Sequence, residues 1–257
     1  MGVGVMKRVL LASVTAIVFG SGSALAADLP AKAPTYKAAP YAYTSWTGFY
    51  VGGHGGYGWG DTDWNFVSSS GPVTDRASQS FSHDIKGGFG GGQVGYDWQS
   101  GKFVFGVEAS WSASDINGTF LSTFGAADDV YNTKISDYFT VTGRLGVAWD
   151  RALVYAKGGY ANANIKVSTT DVVPGNVGSA SSSERHGGWA AGGGLEWKFA
   201  QNFSLGVEYL YLQFNDERHL QAFNGGGGAT TDDIEARVHT VKGKLNWRFG
   251  GPVSARY

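Results

Sequence analysis

Between Thr47 and Phe249 apolar residues alternate with small or polar ones at a period of two, in one segment after another. That period belongs to β-strands whose two faces meet different surroundings. Phe49, Val51, Tyr57 and Trp59 share one parity, while Tyr50, Gly52, His54, Gly56 and Gly58 hold the other. The alternation returns at Val94, Tyr96 and Trp98, then at Phe103, Phe105, Val107, Ala109 and Trp111, then at Phe139, Val141, Leu145, Val147 and Trp149. It appears again in Trp189 to Phe199, in Phe203 to Tyr211 and in Val241 to Phe249; Leu153 to Ala161 supplies one more strand, with Val154, Ala156 and Tyr160 as its apolar face. Eight strands are expected.

The connections alternate as well. Gln99 to Lys102, Asp150 to Ala152 and Ala200 to Asn202 read as tight turns. Gly60 to Lys86, Ser114 to Lys134, Asn162 to His186 and Asn215 to Ala236 read as polar loops of about 20 residues or more. Short turns at one end and long loops at the other are the rhythm of an up-and-down membrane barrel, with periplasmic turns and extracellular loops, and an even strand number places both termini in the periplasm. A compact soluble domain rarely carries four long structureless loops.

The aromatics fix the solvent. Phe49, Trp98, Phe103, Trp149, Trp197, Phe199, Phe203, Trp247 and Phe249 lie beside the short turns, whereas Trp59, Trp111, Trp189 and Tyr211 lie near the long loops. Two such belts about an apolar band are the girdles of a transmembrane barrel, whose rings sit at both lipid–water boundaries. A lipocalin-like soluble barrel would instead turn these rings inward. The fold class expected is therefore all-β: an eight-stranded antiparallel up-and-down transmembrane β-barrel over residues 47–249.

With the aromatic parity facing lipid, the other parity faces the lumen and carries Glu108, Arg144, Lys157, Glu196, Glu208, Lys242 and Lys244. Counted from the short turns, Glu108 and Arg144 stand at equal heights, which predicts that they meet within a buried ion-pair network centred on the planar Arg144 fork. Eight strands enclose a lumen just wide enough to be filled by side chains. A structural plug is the leading reading and a narrow porin passing small solutes is the alternative, since Gly52, Gly56, Gly95, Gly146 and Gly206 leave lumen space.

The first residues are of another kind. Lys7 and Arg8 precede an apolar run from Val9 to Phe19 and an Ala24-Leu25-Ala26 site, so residues 1–26 read as a signal peptide cleaved between Ala26 and Ala27. Residues 27–46, with Pro30, Pro34 and Pro40, read as an extended periplasmic leader. At ~3.1 Å per residue it reaches roughly 60 Å.

Several functions are unsupported. Without cysteine there is neither a disulfide framework nor a thiolate metal site, and a net charge of −1 offers no nucleic-acid footprint. The Gly53-Gly55-Gly58 and Gly90-Gly92-Gly95 spacings match a dinucleotide fingerprint, but no helix pattern follows either one. His54, His83, His186, His219 and His239 are dispersed, and Asp61, Asp63, His83 and Asp84 form the one loop group with the residue types of a hydrolytic rim site. No cofactor, metal or catalytic residue is expected, and a loop-based ligand binder or membrane enzyme is the distant alternative.

Taken together, several motifs resemble the small OmpA-like outer-membrane barrels of alphaproteobacteria, the porin-family surface antigens. They are the Ala27-Asp28-Leu29-Pro30 start, Trp46-Thr47-Gly48-Phe49-Tyr50-Val51-Gly52-Gly53, Gly92-Gln93-Val94-Gly95-Tyr96-Asp97-Trp98, Gly143-Arg144-Leu145-Gly146, Val207-Glu208-Tyr209-Leu210-Tyr211 and the stretch from His239 to Phe249. The resemblance implies roles in envelope integrity and host contact, sometimes small-solute passage, with no conserved reaction. It implies as partners outer-membrane lipid and lipopolysaccharide, the barrel-insertion machinery that would read Trp247 and Phe249, and peptidoglycan joined at the Ala27 amine with Asp28 as recognition residue. The family ends on its final aromatic, whereas here residues 250–257 follow Phe249 as a C-terminal extension, so Tyr257 stands as a second candidate signal.

Overall fold

The computed structural model describes residues 44–70, 80–122, 129–171, 178–224 and 228–249. The expected signal peptide with its Ala26–Ala27 cleavage site, nearly all of the expected leader with Asp28, and residues 250–257 with Tyr257 lie outside them. Eight strands follow one another: β1 (Gly48–Ser70), β2 (Phe81–Ser100), β3 (Phe103–Leu121), β4 (Asp129–Trp149), β5 (Ala152–Asp171), β6 (Ser179–Lys198), β7 (Phe203–Ala222) and β8 (Ala229–Phe249). Each pairs antiparallel with its neighbours, and β8 pairs back to β1 from Phe49↔Phe249 upward, so the barrel closes. The tight turns stand where the sequence places them. Gly101 takes a φ of 60° and Asp150 one of 50°, the left-handed conformations that tight turns need and that Gly and Asp tolerate.

The outward parity is the aromatic and aliphatic one. Phe49, Trp98, Val107, Leu145, Leu195 and Val207 are among more than two dozen large apolar side chains turned outside. A soluble protein does not present so continuous an apolar surface. Hydrocarbon is the medium that accepts it.

The strands are much longer than a bilayer requires. β1 has 23 residues, ~75 Å at ~3.3 Å each, where ~9–11 residues suffice to cross. Much of what the sequence suggested as long loops is therefore strand: β1 runs to Ser70 and β2 begins at Phe81, inside the predicted Gly60 to Lys86 loop, and the other three loops are shortened likewise. The physical reason is an inversion of polarity. Past Trp59, Trp111, Trp189 and Tyr211 the outward residues become polar and the inward ones apolar, as in Trp64, Ile85, Ile116, Ile135, Ile165, Phe214 and Ile234, all buried. Water has replaced lipid outside, so the hydrophobic parity changes sides while the strand continues.

The turn end is covered. Trp46, placed in the leader by the sequence reading, is fully buried there. Its backbone N–H donates to Gln99 Oε1 at 2.7 Å, its carbonyl accepts from Arg248 Nη1 at 3.3 Å, and its ring lies 4.6 Å from the Arg248 guanidinium carbon.

Val107 is 61% exposed on the outward face midway along the lipid-facing part of β3. Val107→Arg should destabilise the barrel by ~2–4 kcal/mol in denaturant titrations of protein refolded into lipid vesicles. A neutral result would contradict the assignment of faces.

Candidate functional site

The lumen is filled in two layers of opposite chemistry. Toward the turn end, four carboxylates (Asp97, Glu108, Glu196 and Glu208) meet five cations (Arg144, Lys157, Lys242, Lys244 and Arg248), all buried. Inward parity places every one of them, and strand closure brings the charges of seven strands, β2 to β8, within contact range.

Two clusters can be distinguished. In the first, nearest Trp46, Arg144 grips Asp97 with two nitrogens, Nε donating to Oδ1 at 2.6 Å and Nη2 to Oδ2, while Nη1 donates to Glu196 Oε2 at 3.2 Å. Arg248 bridges the same two carboxylates at 2.6 Å each. Ser204 and Asn246 add donors to Glu196. In the second cluster, Lys157 contacts Glu108 at 2.6 Å and Glu208 at 3.1 Å, Lys242 contacts Glu208 at 2.9 Å, and Lys244 contacts both at 3.3 and 3.1 Å. Tyr50 and Tyr155 donate their hydroxyls to Glu108 and Glu208 at 2.8 and 2.7 Å. The two tyrosine rings also sandwich the Arg144 guanidinium, 4.8 and 5.1 Å from its carbon. Space for the Tyr50 ring exists because position 95 is glycine; a Cβ there would overlap the phenol.

All seven predicted network residues are thus in the lumen, with one correction. Arg144 does not meet Glu108; it pairs with Asp97 and Glu196, and Glu108 pairs with Lys157 and Lys244. Glu108 and Arg144 are joined through the long connection rather than a short turn, and the register there sets Glu108 opposite Thr142 and Arg144 opposite Gly106. Tilted strands in a barrel are staggered, so equal heights above the turns are not opposite positions. Asp97 and Arg248 went unread because each sits between girdle aromatics, beside Trp98 and between Trp247 and Phe249; their inward parity was the available signal.

Above the charges His54 joins Gln93 at 2.6 Å and Ser112 at 2.8 Å, and Gln93 donates to Asn246. Beyond these the filling is mainly apolar, with buried Thr62, His83, Thr133, His186, His219 and Gln221 set among it. Phe89, Tyr138, Leu210, Leu212, Phe214, Ile165, Val167 and Val238 belong to one buried cluster that extends past the membrane to Trp64 and Tyr131. The expectation that the inward parity holds only small, polar and charged residues is corrected here: the distal half is mainly apolar, and the lipid-embedded half also buries Val104, Leu153, Tyr50 and Tyr155.

The rim group does not assemble. Asp61 and Asp63 point outward and are held by Arg237, whereas His83 is buried inside against Phe81 and Phe120. The barrel wall separates acid from imidazole, so no acid–histidine pair forms. Among the described residues no three His, Asp or Glu side chains converge as metal ligands.

The profile of the outer membrane protein beta-barrel domain matches residues 19–249. The chain belongs to that family. It is 31% identical over 249 residues to the 31 kDa outer-membrane immunogenic protein of Brucella melitensis biotype 1, covering 95% of this chain and all of that one. It is 31% identical over 177 residues to the 22 kDa outer membrane protein of Rhizobium leguminosarum bv. viciae, covering 67% of this chain and 66% of the other. Among solved structures it is similar to the outer membrane protease OmpT from Escherichia coli, at 8% identity and a TM-score of 0.52 over 79% of this chain and 97% of that one, a likeness of fold. The chain is an outer-membrane β-barrel akin to porin-family surface antigens.

Removing the Arg144 side chain takes two donors from Asp97, which then has Arg248 as its remaining ion-pair partner, and one from Glu196. Arg144→Ala should therefore cost ~3–5 kcal/mol. Arg237→Ala, which removes a half-exposed outer contact, should move the unfolding transition little. Equal shifts for the two variants in the same refolded preparation would show that the buried network does not bind the barrel together.

Proposed function

We propose that this protein is a structural, surface-exposed element of the envelope whose barrel is closed to solutes. The observation that carries the reading is the double filling of the lumen, ionic below and apolar above, with Trp46 across the turn end. An ion crossing it would have to break charge pairs and then pass a mainly apolar filling with few polar partners. Both steps are expensive.

In this reading the short turns and both termini face the periplasm, and the strand ends beyond Trp59, Trp111, Trp189 and Tyr211 stand outside the cell. The girdles and the polar distal exterior support contact with outer-membrane lipid and lipopolysaccharide. The closing aromatics Trp247 and Phe249, both outward, suit recognition by the barrel-insertion machinery. The relatives' description as outer-membrane immunogenic proteins agrees with surface exposure and names no reaction, and the proposed role is non-enzymatic.

The leader completes the proposal. Trp46 fixes its end at the turn-end mouth, from which a Pro-rich chain could span to the cell wall and be joined there through Ala27, with Asp28 read by the linking enzyme. The porin alternative draws on the excess of lumen cations over carboxylates, which would favour anions.

Refolded protein in planar bilayers should be silent or give rare, small steps; stable nanosiemens steps would establish the porin instead. The tether has its own test. Boiled sacculi should hold wild-type protein until the glycan is digested and should release Asp28→Ala, whereas wild type wholly extracted by hot detergent with a free Ala27 amine would leave a passive linker.

A further inference from the structure

Among the described residues, the longest stretch of barrel wall without a ladder lies between β6 and β7. Strands β6 and β7 pair from Lys198↔Ser204 only as far as Gly188↔Phe214. Beyond that point β6 stays paired with β5 up to Thr170↔Ser179, and β7 stays paired with β8 up to Ala222↔Ala229. Nine residues of β6 and eight of β7 therefore run side by side without register partners across the seam, until the Asn224 N–H donates to the Ser179 carbonyl at 3.2 Å near the top. The departure is built into the sequence. A bulge between Phe214 and Glu217 steers β7 away, directly above Gly188, where the Gln213 carbonyl presses so close that a Cβ would overlap it.

Two histidines bridge this seam. His186 on β6 and His219 on β7 are both fully buried, their rings stacked at 5.1 Å, with Nε2 to Nε2 at 2.8 Å. The Asn215 carbonyl lies 3.1 Å from His186 Nδ1 and can only accept, so that nitrogen carries a proton. His186 Nε2 is then the acceptor and His219 Nε2 the donor. His219 Nδ1 has no hydrogen-bond partner. Behind the pair lie Ala163, opposite His186, and the apolar cluster with Ala161, Ile165, Leu212 and Phe214.

We propose that the β6–β7 seam is a side opening in the barrel wall, latched by the His186–His219 pair and released by protonation, which exposes the apolar distal core beside the membrane surface. The latch needs one imidazole with a free lone pair. Two imidazolium ions present hydrogen to hydrogen and charge to charge, so the contact is lost when both are protonated. The groups facing the pair are Glu184 on β6, Asp216 and Glu217 on β7, and Asp232 opposite His219 on β8; Arg185 is turned outward to Asp137 and Asn162.

Both histidines stand beyond Trp189 and Tyr211, outside the lipid band. Burial lowers His186 from its ordinary range, and burial together with His186 lowers His219 to about 4. The closed seam thus binds fewer protons than the open one between ordinary imidazole pH and about 4. Opening is favoured as pH falls through that window, by up to about tenfold per pH unit for each proton taken up. Above it both states are neutral and the latch is at full strength.

The chain has no cysteine, so a single one reports without interference. Ala163→Cys places a thiol behind the latch, and Ser183→Cys places an exposed reference on β6. In lipid vesicles, the maleimide labelling rate at position 163 relative to 183 should rise at least tenfold from pH 7 to pH 4.5. In a His186→Gln/His219→Gln background, which cannot protonate, it should stay low at both. An unchanged ratio in the wild-type background, or an equal rise in the Gln background, would overturn the latch. If the Gln background already labels fast at pH 7, nitrogen NMR of the wild-type imidazoles decides: titration of His219 in step with labelling supports the proposal, and ordinary titration with position 163 still protected refutes it.

Discussion

Hydrocarbon offers no partner to a backbone N–H or C=O, and the closure of β8 onto β1 answers that demand for the whole lipid-embedded wall. Once the ladder is a closed ring of eight, the lumen is narrow and its contents are no longer free. Every inward side chain meets others from across the barrel within a few ångströms. The charges of β2 to β8 are forced into contact, and they are tolerable because carboxylates and cations interleave and tyrosine, serine and asparagine take up remaining valences.

The buried network has a division of labour set by geometry. Arginines occupy the cluster where two carboxylates must be held at once, since a planar fork can address Asp97 and Glu196 together. Lysines occupy the next cluster, where Glu108 and Glu208 are shared among three point charges. Neither cluster gains much over an apolar filling of equal volume, but the loss of one member leaves a charge stranded, which binds the strands into a single arrangement. Trp46 extends that arrangement to the chain entering β1, because Arg248 holds both Asp97 and the Trp46 carbonyl.

The lipid-embedded half was legible because its two faces differ sharply and the difference is periodic. Parity alone placed Glu108, Arg144, Lys157, Glu196, Glu208, Lys242 and Lys244 inside. Partners were not legible in the same way, because pairing across a tilted barrel depends on stagger, which no single strand encodes; hence Arg144 was matched to Glu108 instead of Asp97. The distal strands were hidden for a different reason. Trp64, Ile116 and Ile165 continue the alternation in reversed phase, and a reading that follows one apolar face sees an ending where the solvent has merely changed. The bulges between Ala113 and Ile116 and between Ile135 and Asp137 shift the phase again and deepen the disguise.

That change of solvent also explains where the wall can be interrupted. Inside the bilayer an unpaired rung between β6 and β7 would strand its N–H and C=O groups, and there the ladder is complete down to Lys198↔Ser204. Above Trp189 and Tyr211 water can take the unpaired groups, so the same two strands are free to part. Behind the parting lies an apolar core that water does not favour, and a side-chain contact must hold the strands where backbone bonds do not. A neutral histidine pair does this without a buried net charge, and it can be undone by protons alone. The seam, the inverted polarity and the histidine contact are therefore one consequence of strands that outrun the membrane.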